Sequence, residues 1–221
     1  MTEDRLIFGN RESRNIFIQP VDEHDLELME DEVSEARKNA ADDFCLIAYC
    51  VNDWFSDLSP WYTEPVFGKE NFAGHIDVAY DEVISILNEI PKNFRAANKK
   101  IYLIGYSLAG LFALWMAGKC DIFAGIAAVS PSVWYPGWID YAKEKPLMCD
   151  NVYLSLGRKE EKARNKIMAA VGDCIRTQYD ILKEHGKNCI LEWNEGNHFV
   201  DSDKRCAKGI EWLLNQKGEN I

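Results

Sequence analysis

The chain has 221 residues, 47% hydrophobic and 28% charged, with a formal net charge of −11. That size and balance suit one α/β domain spanning residues 1–221 with a sizeable core. The acidic excess argues against nucleic-acid and anionic-membrane partners, which call for a basic footprint, and no apolar run approaches the roughly 20 residues that cross a bilayer.

The opening "MTEDRLIFGN" lacks a basic segment followed by an apolar core, so no signal peptide is expected. Seven scattered cysteines, odd in number and without a CxxC pair, read as free thiols of a reducing compartment, and a cytoplasmic location is expected. Two β-prone runs, Leu6 to Phe8 and Ile16 to Ile18, flank the polar "NRESRN" and predict a hairpin. The acidic stretch from Val21 to Ala40 reads as a solvated loop or helix face and carries no functional weight.

"FCLIAYCV" (44–51) is a continuous apolar run of strand length, suited to burial on both faces. A long aromatic loop follows, with Trp54, Phe55, Trp61, Tyr62, Phe67 and Phe72. Ordered loops of this length in compact domains tend to be functional. Ile76, Tyr80, Val83, Leu87 and Ile90 recur at helical spacing, and Pro91 would stop that helix. "KKIYLIGY" predicts a strand, and the run from Ser107 predicts a helix that is apolar nearly all round and so buried. "FAGIAAVS" (123–130) and "NVYLSLG" (151–157) are further strands. A helix carrying Ile167, Val171, Ile175 and Leu182 follows, closed by Gly186. "CILEWNE" is the last strand, and a helix with Ile210, Leu213 and Leu214 ends the chain. Strands alternating with helices from residue 44 onward predict a mostly parallel sheet with helices on both faces, the opening hairpin adding antiparallel strands at one edge.

The chemistry centres on "GYSLAG" (105–110). A serine hydroxyl is a weak nucleophile. It needs a base to take its proton, a group to orient that base and donors for the oxyanion that develops. On a sharp strand-to-helix turn the residues two before and two after the serine must be small. Gly105 and Ala109 satisfy this, Ala109 standing where the usual pattern has glycine. A serine that merely caps a helix is the plainer alternative. The strand before and the helix after favour a nucleophile, with the Leu108 N–H facing the developing charge.

In this arrangement an acid and then a histidine should follow the serine. His185 lies at the polar end of a helix, and His24 and His75 precede Ser107, whereas His198 follows the last strand. The acid should follow "NVYLSLG", where Glu160 and Glu161 both stand. Glu160 is preferred, because a short turn after Gly157 brings it back toward the strand end. Asp150 and Asp173 fall on the wrong side of the strand or too far into the helix, and Asp201 and Asp203 break the order. A second oxyanion donor should come from the loop after "FCLIAYCV", with the Trp54 backbone N–H chosen among Asn52, Asp53 and Trp54.

"GYSLAGLFAL", "SPSVWY" and "GNHF", in this order, resemble the enterochelin-esterase-like and esterase-D-like enzymes of the α/β-hydrolase group. The resemblance runs from about residue 44 to the end. It implies an α/β-hydrolase fold without a large cap, with Ser107 as nucleophile, His198 as base and a carboxylate after Gly157 as acid. It also implies that Trp134 lines the acyl or alcohol pocket. The expected activity is hydrolysis of a small-molecule ester through an acyl-enzyme. Alternatives are a thioesterase or acyltransferase with the same triad, or a non-catalytic binding module. No cofactor and no metal are implied, since no His, Cys and Asp cluster has ligand spacing. A nucleotide-binding domain fits poorly, because Gly105-x-x-x-x-Gly110 lacks the Gly-x-Gly turn and the Lys-Ser/Thr of a phosphate loop.

Overall fold

The computed structural model describes residues 5–40, 43–90 and 99–216. Its centre is a seven-stranded sheet: β1 (Arg5–Gly9), β2 (Asn15–Val21), β3 (Cys45–Cys50), β4 (Lys100–Tyr106), β5 (Phe123–Val129), β6 (Asn151–Gly157) and β7 (Asn188–Asn194). The strand order is β1-β3-β2-β4-β5-β6-β7. All neighbours are parallel except β1 and β3.

The opening strands do not form the expected hairpin. β3 lies between β1 and β2, antiparallel to the first and parallel to the second. The reason is burial. β2 is buried along nearly its whole length and takes a central place, whereas β1 is mostly half-exposed and takes the edge. β3, apolar on both faces, needs a backbone partner on each side. The five-residue link Asn10–Arg14 therefore spans two strand spacings, about 10 Å.

Alternation along the strands sorts the core into two faces. Ile101 and Leu103 of β4, with Val152, Leu154 and Leu156 of β6, face one side. There they meet α3 (Ile76–Glu89), α4 (Leu108–Ala117), α5 (Trp138–Glu144) and α7 (Val171–Glu184). Tyr102, Ile104, Tyr106 and Tyr153 face the other side and meet α1 (Glu23–Ala40) and α8 (Ser202–Leu214). All ten residues of α4 are buried, as its uniform apolarity demands. The acidic stretch is helix α1, and it buries Met29, Glu32, Val33 and Ala36, one stripe at helical spacing.

The aromatic loop contains a short helix, α2 (Trp54–Asp57), capped by the Asp53 carboxylate on the Ser56 N–H. The helix expected around Ile167 to Leu182 is divided into α6 (Lys166–Ala169) and α7. Gly186 follows α7 at φ 72°, in the left-handed region expected of its closing residue. Pro91, the expected stop of α3, lies outside the described residues. Among the described residues no helix is long and apolar enough to cross a membrane.

Candidate active site

The segments that leave β4, β5, β6 and β7 converge at the carboxyl ends of the parallel strands, where open α/β sheets place their ligand crevices. Ser107 alone separates β4 from α4, at φ 57° and ψ −119°. This backbone conformation is rare for a residue with a Cβ. Close packing imposes it: a Cβ on Gly105 would collide with the Ala109 carbonyl, so strand and helix meet there only because residue 105 is glycine. Main-chain bonds hold the turn, from the Ser107 N–H to the Val129 carbonyl (3.0 Å) and from the Ser132 N–H to the Ser107 carbonyl (3.0 Å). The Ser107 side chain caps no helical N–H. Its Oγ lies instead 3.0 Å from Nε2 of His198 and 3.5 Å from Oγ of Ser132.

His198 lies on the loop between β7 and α8, and its Nδ1 is 2.7 Å from Oε2 of Glu160. Glu160 opens a single 3₁₀ turn after β6. The other carboxylate oxygen, Oε1, accepts from the Gly157 N–H (2.7 Å), the Ser130 hydroxyl (2.8 Å) and Nη1 of Arg205 (3.1 Å). The carboxylate thus returns onto the strand end, in the short turn expected after Gly157. Burial by itself would raise the Glu160 carboxyl. The hydrogen bond and charge of His198, with the Gly157 N–H and the Ser130 hydroxyl, hold it below the usual carboxylate range. Glu161 points elsewhere and pairs with Arg176 at 2.7 Å.

The remaining histidines stand apart from this chain of contacts. His185 is exposed at the end of α7, and His75 precedes α3 with Nδ1 2.9 Å from the Ser56 hydroxyl. His24, in the first turn of α1, lines the same cavity as Ser107 and His198.

A cavity of about 790 Å³ opens over Ser107 and His198. Leu108 and Trp54, the first residues of α4 and α2, line it, as does Trp134. Trp134 packs edge-on against Phe67 and Phe72 of the aromatic loop, so it is at once a wall of the cavity and part of the packing. Among the described residues, no cluster of three or more His, Cys, Asp or Glu is arranged to hold a metal ion.

No protein-family model and no curated protein matches the chain. Solved structures do match in three dimensions. An IroE-like serine hydrolase from Shewanella oneidensis superposes with a TM-score of 0.73 at 13% identity, over 95% of this chain and 75% of that one. The siderophore hydrolase EstA from Aspergillus nidulans gives 0.64 at 21% identity, over 95% and 86%. The enterobactin esterase FES from Shigella flexneri gives 0.66 at 14% identity, and there the matched region is 95% of this chain but only 54% of the esterase. The fold is that of the α/β hydrolases.

Several residues at this site of the α/β-hydrolase fold escaped sequence reading. Ser130 and Ser132 flank Pro131 and reach opposite ends of the Ser107–His198–Glu160 chain, yet the "SPS" spacing alone assigns neither a contact. Tyr106 donates to the His198 carbonyl (2.8 Å), and burial raises its phenol above the ordinary range, so it is a neutral donor. Asp22 and Asp25, set aside with the acidic stretch, line the cavity with Lys159 and Lys162. Burial and the neighbouring Asp22 push the Asp25 carboxyl up to about 6. Phe199, 89% exposed, stands edge-on to the His198 ring at the cavity mouth. A bare Phe beside the histidine was the available signal for the last of these.

Proposed function

We propose that the protein is a serine hydrolase, a carboxylesterase that cleaves a small-molecule ester through an acyl-enzyme on Ser107. The observation that carries this reading is the continuous hydrogen-bonded chain from Glu160 through His198 to Ser107, at the floor of an open cavity and on a strained turn. In the proposed reaction His198 Nε2 takes the proton of Ser107 as Oγ attacks the ester carbonyl carbon. Glu160 holds the Nδ1–H and stabilises the imidazolium. The backbone N–H groups of Leu108 and Trp54 stabilise the oxyanion. The intermediate then expels the alcohol, which takes the proton from His198. Water, activated by the same imidazole, releases the acid and restores Ser107.

An intact relay favours an enzyme over a binding module with the same fold. A thioesterase or acyltransferase would use the same steps with a different leaving group or acceptor. None of the seven cysteines, all among the described residues, is in a disulfide, in keeping with the proposed reducing, cytoplasmic setting. The decisive experiment labels the wild type and Ser107→Ala with a fluorophosphonate probe and assays a short-chain aryl ester. The expected result is one labelled site in the wild type, none in the variant, and at least about 10⁴-fold loss of kcat/KM. Equal labelling of both proteins would overturn the nucleophile assignment.

A further inference from the structure

Arg205 is a buried cation that the proposed reaction does not use directly. It lies on α8, seven positions after His198, and its side chain is 2% exposed. Its guanidinium bonds in two directions. Nη1 donates to Glu160 Oε1 (3.1 Å), Ser130 Oγ (3.2 Å) and the Tyr106 hydroxyl (3.2 Å). Nη2 donates to the backbone carbonyls of Glu195 (2.8 Å) and Asn197 (2.9 Å), which belong to the loop that carries His198. One planar group thus joins the carboxylate to the main chain beside the histidine. Two backbone bonds run alongside, from Arg158 N–H to Asn194 (2.8 Å) and from Lys159 N–H to Gly196 (3.0 Å). The approach is close enough that a Cβ on Gly157 would come within 2.8 Å of the Gly196 carbonyl and 3.0 Å of Arg205 Nη1.

We propose that Arg205 is a positioning residue that locks the Glu160 turn and the His198 loop into one unit, so that the carboxylate meets Nδ1 while Nε2 meets Ser107. The proposal rests on the hydrolase reading above. Its physical basis is the guanidinium fork, whose Nη1 meets the carboxylate while Nη2 meets two carbonyls. An ammonium has no such fork and cannot span both sets of acceptors at once. Loops that carry reacting groups need this support, because a displacement of about 1 Å there can reduce turnover by about 10²-fold. The charge also matters. The ionisable groups around His198 are Glu160 and Lys159 after β6, Tyr106 of β4, Asp22, His24 and Asp25 at the start of α1, and Arg205 itself. Asp201, before α8, also feels the Arg205 charge. Removing that cation leaves Glu160 with its Gly157, Ser130 and His198 partners alone, so its negative charge bears more strongly on His198. The acidic limb of the pH–rate profile should then move to higher pH.

The test compares wild type, Arg205→Lys and Arg205→Met on p-nitrophenyl butyrate, with rates expressed per fluorophosphonate-labelled site. Arg205→Lys should lose about 10-fold or more in kcat with little change in KM, since transition-state alignment and not substrate contact is impaired. Arg205→Met should also move the acidic limb of the kcat/KM profile upward by about half a pH unit or more. A purely structural role would lower the labelled fraction and leave both the rate per site and the limb unchanged. That result would overturn the proposal, as would loss of folding in both variants by circular dichroism. If only one variant folds, it decides the question by its own criterion. An unlabelled wild type would instead overturn the hydrolase reading, and the Arg205 assignment with it.

Discussion

Ser107 pays a conformational penalty of order 1–3 kcal/mol for a positive φ, and the contacts of its neighbours maintain it. The same crowding that makes Gly105 obligatory leaves room for the Ala109 methyl, which is fully buried in α4. Gly105→Ala should therefore destabilise the protein by about 1–3 kcal/mol, read as a lower midpoint in urea with the slope unchanged. The two adjacent glutamates provide a sharper comparison. Glu160→Gln should reduce kcat by about 10²–10⁴-fold, because a neutral amide neither fixes the imidazole tautomer nor stabilises its cation. Glu161→Gln, which loses a half-exposed pair with Arg176, should keep kcat within about 2-fold of wild type. The opposite ranking in a steady-state assay would reassign the acid.

The aromatic loop owes its order to side chains more than to regular backbone. Beyond the short helix α2, one antiparallel bridge joins Thr63 and Phe72, and aromatic packing and side-chain hydrogen bonds supply the rest. Phe72, 1% exposed, meets Phe55, Phe67, Trp134 and Tyr135 edge-on at centroid distances of 5.4 to 6.2 Å. Trp61 Nε1–H donates to the Pro136 carbonyl, and the Tyr135 hydroxyl donates to the Trp61 carbonyl. These contacts tie the loop to the segment after β5, so both walls of the cavity stand or fall together. Phe72→Ala should cost about 3–5 kcal/mol and raise KM for aryl esters more than it lowers kcat. Normal stability and KM in that variant would show that the loop is held by other means. The helix that follows β6 illustrates the limits of periodicity. Its apolar spacing continues from Ile167 to Leu182, yet Ala170 divides it, because the Asn165 carboxamide caps a separate short helix, bonding the N–H groups of Ile167 and Met168.

Across the whole molecule two buried carboxylates bend the pH dependence of stability in opposite directions. Glu160 is held below its ordinary range. The stability it contributes is complete above the unfolded value of about 4.3 and lost as pH falls through its lower folded value. Glu32, between α1 and the sheet, is the reverse case. Burial pushes it up to about 8, only partly opposed by the hydrogen bond from Gln19 (3.2 Å), with Asp25 and Asp203 adding to the rise. The folded state then holds a proton that the unfolded chain releases between about pH 4.3 and 8, so stability falls as pH rises through that window. Asp25, at about 6, adds the same trend over the lower part. Calorimetry should show the wild-type melting temperature declining between pH 6 and 8, a range in which Glu32→Gln should be nearly flat and more stable at its upper end. Parallel curves for the two proteins would show that Glu32 is ionised throughout.

Local sequence carries the strands, the buried helix after Ser107 and the order serine, carboxylate, histidine along the chain. Each rests on local apolar patterning or on residue types at fixed offsets from strand ends. It could not determine which strands are neighbours. β1 and β2 carry hairpin-like signals, but the need of β3 for backbone partners on both sides overrides them. For Glu160 over Glu161, adjacent on a tight turn, it offered only a preference, resting on the short turn after Gly157. A 3₁₀ turn and the donors at Gly157, Ser130 and Arg205 bring Glu160 and not Glu161 against His198, and they come together from segments distant in sequence. Arg205 shows the difference most clearly. In sequence it is a cation in the last helix, and only the packing of α8 on the sheet turns it inward against the carboxylate and the histidine loop. Periodicity is a property of neighbouring residues and can be read from one segment, whereas hydrogen-bond partners across a site depend on where several segments finish, which only the tertiary structure fixes.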